Sequence, residues 1–523
     1  METRARGRRL AWSTAIFSLA TGISRVLGLV REIVARRYFG VEGSGINAFT
    51  VAFQLPNLFR QLVADAALSA AFVPVFSELL EKGERARAWR VASTLFWLIL
   101  LILGGLTALL IVAAPLVVAP FDLADEDLGV TLSRLLFPIV ALLGVSGIVV
   151  GILNSYEHFS VPALTPVFWN FAIIVGLVVG VPQTDSTTDG LYVYAGAILV
   201  GTVIQVLLPL PWLRGRDGQL RVAFDWRDPA VKQVLILMVP VMLGLGLINF
   251  NAVVGTFFAS RYIDPTLAPA AIDAAFRIYM LPQGMFSVAV ATVLFPAVSR
   301  LAAREDFEGF RRTIGLGLRQ IGFLLVPASA VSMVLAEPIV RLLYERGAFG
   351  AEETEVVAEA LAAFSIGLTF NGMMLMLNRG FFGLQAPWTP TLVALGNLVL
   401  NTALYVAFYR VGTWGIPLAI SLANVAAAAA LLVLLRRRLG RIDFRETGVA
   451  LLRIAAAAIV LAAVCYAVWW PLDDGLGRSF AAQFLSLGAA LGAGVAAYLI
   501  SCRLLGVREL DALLSLRSRL RRA

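Results

Sequence analysis

Four arginines lie deep inside apolar stretches of the sequence: Arg25, Arg31, Arg60 and Arg277. A guanidinium presents a planar fork of N–H donors that matches the oxygens of phosphate or carboxylate in bidentate fashion. Left facing lipid, these four would together cost about 10–14 kcal/mol on membrane-insertion scales, so they must face protein, water or a ligand. On an ideal helix Arg25 and Arg31 stand about 120° apart with Gly28 midway, which leaves open space between two cations. Asn57, Gln61, Asp65 and Ser69 recur every fourth residue beside Arg60 and draw a polar stripe along an otherwise apolar helix, with Pro56 at its start. Asp65 can partner one arginine, and Glu32 could partner another or point outward. The positive surplus fits a water-filled intramembrane cavity for a phosphate- or carboxylate-bearing substrate, with Arg25, Arg31, Arg60 and Arg277 on the substrate and Ser24, Gly28, Asn57, Gln61 and Asp65 in support. The alternative is that the arginines only tie helices together through carbonyls and Asp65. Arg134, Arg319, Arg341 and Arg453 lie near enough to stretch ends to snorkel to the interface.

The elements that must position these residues are membrane helices. Of the 523 residues, 59% are hydrophobic and 15% charged, and the mean hydropathy is +0.84. Soluble domains run near about 25% charged, so a soluble enzyme is excluded, as is disorder. Spanning a bilayer takes roughly 20 apolar residues. Fourteen such stretches can be counted, near 12–35, 47–79, 91–119, 130–154, 163–181, 190–212, 233–260, 274–299, 314–344, 355–378, 388–409, 414–435, 447–470 and 480–503. The expected fold is an all-α integral membrane protein. No strict alternation points to a β-barrel. Arg4, Arg6, Arg8 and Arg9 precede an apolar run without a clear cleavage site, which reads as an uncleaved first span.

Basic residues cluster at one set of alternate loops, for example Lys82 with Arg85, Arg87 and Arg90, then Arg214 with Arg216 and Arg221, then Arg436, Arg437 and Arg438. The positive-inside rule puts both termini in the cytoplasm. It also accounts for the +9 net charge without nucleic acid, and the tail Arg517, Arg519, Arg521 and Arg522 is expected to meet anionic lipid headgroups. Cys465 and Cys502 sit in apolar runs, and with His158 as the single histidine neither a disulfide framework nor a resident metal is expected. Asp122, Asp125, Glu126 and Asp127 read as ordinary loop charge rather than a catalytic or metal-binding cluster.

The chain matches itself at an offset of 224: Arg37-Tyr38 with Arg261-Tyr262, Ile152-Leu153-Asn154 with Met376-Leu377-Asn378, and Thr165-Pro166 with Thr389-Pro390. Leu55-Pro56 returns as Leu281-Pro282 at 226. This predicts two parallel six-helix lobes, residues 1–224 and 225–440, with two additional helices and a basic tail in 441–523. Two equivalent halves about a central cavity suit alternating access.

At these residues the sequence resembles the MurJ/MviN family of lipid II flippases, in the MOP transporter superfamily. The resemblance is carried by Ser24-Arg25-Val26-Leu27-Gly28 with Arg31-Glu32, Phe39-Gly40, Ala48-Phe49, Leu55-Pro56-Asn57-Leu58, Arg60 and Ala71-Phe72-Val73-Pro74, and further on by Phe159-Ser160, Pro162, Phe381-Phe382 and Gln385. It covers spans 1–12. It implies movement of undecaprenyl-pyrophosphate-linked disaccharide-pentapeptide, lipid II, from the inner to the outer leaflet of the cytoplasmic membrane. It also implies essential cavity arginines at Arg25, Arg31, Arg60 and Arg277 and a groove for the lipid tail at spans 13–14. The sequence departs from the family at Asn47 and Phe276, where acidic residues are usual. Some relatives bind sodium in the second half. Here spans 7, 11 and 12 carry no carboxylate, and Asn397 and Asn401 could supply neutral oxygens or simply bridge helices.

The expected partner is lipid II together with membrane lipids, the expected state a monomer, and the expected process one in which no bond is made or broken. No nucleotide-binding loop motif is present, which leaves a gradient, the membrane potential or consumption of the product as the driving force. A carrier of another anionic polyprenyl-linked sugar would use the same arginines. A cation-coupled drug exporter of the same superfamily would instead show unpaired cavity carboxylates.

Overall fold

The computed structural model describes residues 2–63, 66–156, 158, 160–439 and 444–510, with side chains left undescribed at 2–18, 59–63, 66–70, 240–241, 243–245, 247–248 and 444–445. Among the described residues the regular structure is entirely helical. The helices run α1 Glu2–Phe39, α2 Ser44–Val63, α3 Ala66–Glu81, α4 Arg85–Val112, α5 Ala114–Val118, α6 Glu126–Leu136, α7 Pro138–Ser155, α8 Ser160–Val175, α9 Thr187–Leu207 and α10 Pro229–Phe258. They continue as α11 Ala268–Pro282, α12 Val288–Ala303, α13 Phe307–Val334, α14 Ala336–Tyr344, α15 Ala351–Gly383, α16 Trp388–Phe408, α17 Gly415–Leu439, α18 Phe444–Leu476 and α19 Phe480–Leu504.

Among the described residues, 11 helices are long and apolar enough to cross a membrane. Each falls on one of the expected stretches. The other three stretches, 12–35, 47–79 and 233–260, fall on helices that contain undescribed residues. Boundaries follow local chemistry. Asp125 accepts a hydrogen bond from the Leu128 amide at 3.0 Å and starts α6, and Pro138 begins α7. Asp228 accepts from the Ala230 amide at 2.8 Å with Pro229 in the first turn of α10. Pro282 ends α11 and is followed by a π-helical turn, Gln283–Ser287, where the ladder that proline interrupts is re-formed at wider pitch.

The chain divides into two compact units: Met1–Ala270 with Gly347–Phe349, and Ala271–Arg346 with Gly350–Ala523. In the first, α3, α4 and α7 bury Phe72, Phe76, Trp89, Leu95, Ile148 and Ile152 together with Val231 and Val234 of α10. Thus α10, which opens the stretch 225–440 expected to form a second repeat, packs with the first unit. Its approach is fixed by the connection ahead of it. Arg221 and Asp225 amides donate to Ser93 Oγ and Thr94 Oγ1 of α4 at 3.1 and 3.2 Å, and Arg87 pairs with Asp228 at 2.9 Å.

In the second unit α18 and α19 dock on α13 around Phe323, Ile454, Leu461, Trp469, Leu487 and Tyr498. Small residues permit the close approach: a Cβ on Gly494 would lie 2.1 Å from Cys465 Sγ, and one on Gly322 2.4 Å from Leu451. Tyr498 Oη donates to the Phe323 carbonyl at 2.7 Å. Cys465 and Cys502 are buried free thiols in this interface. Elsewhere large apolar side chains face outward, among them Val112, Leu116, Val293, Leu452, Ile459 and Leu504. A surface of this kind is stable in lipid and not in water.

Candidate functional site

In the first unit three of the expected site residues, Ser24, Gly28 and Arg31, lie where α1 meets α8. Ser24, Gly28 and Arg31 are spaced four and three residues apart, so they share one helical face. Opposite them stand Trp169 and Asn170. The Asn170 amide nitrogen donates to the Pro166 carbonyl at 2.9 Å and reaches Ser24 O and Oγ at 3.4 and 3.5 Å. These bonds aim its oxygen at Arg31, whose guanidinium donates to it at 3.2 Å. A Cβ at position 28 would sit 3.8 Å from that same oxygen, so Gly28 gives room without being sterically required. Trp169 is held by a bond from its indole N–H to Thr202 Oγ1 at 3.2 Å. The Arg31 guanidinium lies over its ring at 4.8 Å.

Arg31 is only 6% exposed and pairs with Glu32 at 2.5 Å. Glu32 also faces Arg36 at 4.0 Å. Of the two alternatives the sequence leaves open for Glu32, the structure therefore has it pointing inward, paired with Arg31. One Arg31 donor, Nε, is buried without a partner. Arg25, by contrast, is exposed, and among the described residues it forms no ion pair. Pro56 and Asn57 of α2 join Ser24, Trp169 and Asn170 in lining a cavity of about 400 Å³ inside this unit, with α7 and α9 as its other walls. Arg60 lies on α2, but its side chain and those of Gln61 and Asp65 fall outside the described residues.

Arg277 belongs to the second unit. It is 34% exposed and meets Asp273, one turn earlier on α11, in a bidentate pair at 3.0 and 3.4 Å. The acid missing at position 276 is thus supplied from the (i, i−4) position. Phe276 stacks on Tyr279 at 5.7 Å and packs tilted against Phe364 at 5.6 Å between ring centroids, an apolar setting in which a carboxylate would lack partners. Asn47 has an equally local reason. It is fully buried, its amide nitrogen donates to Val41, Gly43 and Thr266 carbonyls at 2.9, 2.9 and 2.5 Å, and its oxygen accepts from the Ala270 amide at 2.9 Å. A carboxylate could accept but not donate.

Asn401 is fully buried and donates to Asn397 Oδ1 at 3.3 Å, while its own oxygen is unpaired. Among the described residues no cluster of three or more His, Cys, Asp or Glu could hold a metal. Of the arginines expected to snorkel, Arg134 and Arg453 are exposed and donate to the Ile111 and Gly506 carbonyls at 3.2 and 3.3 Å. Arg341 is instead 4% exposed and pairs with Asp473 at 2.8 Å and with Glu337, and Arg319 pairs with Glu509 at 2.8 Å. In the acidic loop Asp125 caps α6 and Asp122 faces Arg261 at 3.5 Å.

The family described as "Lipid II flippase MurJ" matches residues 35–475. A probable lipid II flippase MurJ of Vibrio cholerae is 32% identical, with 96% of this chain and 98% of the relative covered. The lipid II flippase MurJ of Burkholderia cenocepacia is 31% identical over 80% and 82%. Among solved structures, lipid II flippase MurJ in an inward closed conformation superposes with a TM-score of 0.78 at 24% identity, covering 94% of this chain and 98% of that one. An inward-facing MATE-family multidrug transporter of the MOP superfamily superposes with a TM-score of 0.68 at 16% identity, over 81% and 94%.

Proposed function

The chain belongs to the lipid II flippase MurJ family, and we propose that it carries lipid II from the inner to the outer leaflet of the cytoplasmic membrane by alternating access. The protein is a multi-pass membrane transporter. The observation that carries the site reading is the set of arginines in apolar helices that have a polar face to work from. In this reading Arg25, Arg60 and Arg277 take the pyrophosphate. Arg31, locked on Trp169 and Asn170, fixes the local potential and offers its one free donor. Guanidinium forks replace the hydration that the phosphates give up on entering the membrane. The polyprenyl tail stays in lipid, along a groove at α18 and α19.

The full arrangement we infer has fourteen spans, both termini in the cytoplasm, repeats 1–224 and 225–440, and a monomer as the working unit. The duplication is supported by equivalent placement of matched residues: Arg37-Tyr38 lies at the end of α1, and Arg261-Tyr262 in the turn that closes α10. Thr165-Pro166 and Thr389-Pro390 both lie in the N-terminal halves of their helices, α8 and α16. An anionic headgroup leaving a negative-inside cell gains about 2.3 kcal/mol per charge per 100 mV, so the membrane potential assists export. The test uses cells in which this chain is the sole lipid II flippase. Wild type should make lipid II accessible outside, and Arg60→Ala at equal membrane level should not. A well-inserted wild type that exports none contradicts the reading.

A further inference from the structure

We propose that the cavity inside the first unit receives the uncharged sugar of the lipid-linked substrate; this rests on the flippase reading above and names a subsite for it. The cavity of about 400 Å³ is in the size range of small-molecule sites. Among the described residues its lining includes no charged side chain, so these walls do not suit the pyrophosphate. They do include hydroxyl and amide groups beside the aromatic rings of Phe53 and Trp169, the combination that matches a sugar's polar edges and apolar face.

Two polar groups here are unengaged among the described residues. Ser146 of α7 is 5% exposed and lines the cavity, and it forms no hydrogen bond with another described residue. Gln205 of α9 also lines it and likewise forms none. Thr165, Asn170 and Thr202 are by contrast engaged with neighbouring helix atoms. An unpartnered hydroxyl or amide in a membrane helix bundle is costly, and an amide, being both donor and acceptor, matches adjacent sugar hydroxyls or an N-acyl group. The cavity also adjoins the cationic face. Trp169 and Asn170, which line it, are the groups that hold Arg31, and Ser24 on its wall precedes Arg25. A headgroup whose phosphates meet the arginines therefore has its first sugar beside this opening.

The experiment measures binding of lipid II and of sugar-free undecaprenyl pyrophosphate to the full chain in lipid nanodiscs. Gln205→Leu should weaken lipid II about ten-fold, and Ser146→Ala by a smaller factor in the same direction. Both should bind the sugar-free lipid as wild type does, which also shows that they are folded. Equal weakening of both lipids, or no change in either, overturns the subsite. A wild type that binds neither lipid overturns the flippase reading itself.

Discussion

Arg31 and Arg277 are the same residue type in apolar helices, one in each unit, and their surroundings differ in kind. Arg31 is buried against an indole ring, an asparagine oxygen and a carboxylate. Arg277 is a third exposed, and its paired acid is 27% exposed on the same helix. Burial with partners makes a cation part of the scaffold, because removing it strands the partner. Exposure beside a carboxylate that is itself partly exposed leaves a cation able to exchange that partner for a phosphate. Sequence position alone does not separate the two cases, but the number and rigidity of the groups around each guanidinium does.

The largest expected effect is on the scaffold side. Arg31→Ala removes the 2.5 Å partner of the buried Glu32, and should destabilise the protein by about 3–5 kcal/mol, read as a fall in unfolding temperature and membrane level. Adding Glu32→Gln should recover much of the stability and none of the transport. If Arg31→Ala unfolds like wild type, the contrast collapses. Next comes Arg277→Ala, which should leave unfolding temperature within the range of surface changes and lower lipid II export at least ten-fold. Arg277→Lys, keeping charge but not the fork, should fall between. Asn47→Asp should cost about 1–3 kcal/mol, since it removes the donor to three carbonyls, and a thermal melt checks it.

The smallest effect lies at the start of α10. Arg87 holds the Asp228 carboxyl below the usual carboxylate range, chiefly through their hydrogen bond. A carboxyl held low in the folded state stabilises it above the unfolded value, about 3.9, and loses that contribution as pH falls through the lower folded value. Asp228→Asn should therefore melt below wild type at neutral pH and converge with it as the solution is acidified below pH about 4. A constant offset across that range contradicts the pairing.

Much of this was legible in one dimension. Length and apolarity locate the membrane helices, since backbone satisfaction in lipid leaves few alternatives. Arg25 and Arg31 stand out because a charge there demands an explanation. Asp273 was equally readable, being four residues before Arg277 on one helix. What could not be read were partners distant in sequence: Asn170 and Trp169 for Arg31, Asp473 for Arg341, Glu509 for Arg319. Snorkelling follows from position along a helix, whereas burial depends on which helix packs beside it. Similarly, Asn47 looked like a lost acid until the three carbonyls around it were placed.

The most direct measurement is lipid II translocation in vesicles containing only the purified chain, comparing wild type with Arg277→Ala and with Arg312→Ala, an exposed arginine that likewise pairs with an acid one turn earlier on its helix. Wild type and Arg312→Ala should translocate at equal rates and Arg277→Ala should not. Translocation by Arg277→Ala at the wild-type rate, or a wild type no faster than empty vesicles, would contradict the account.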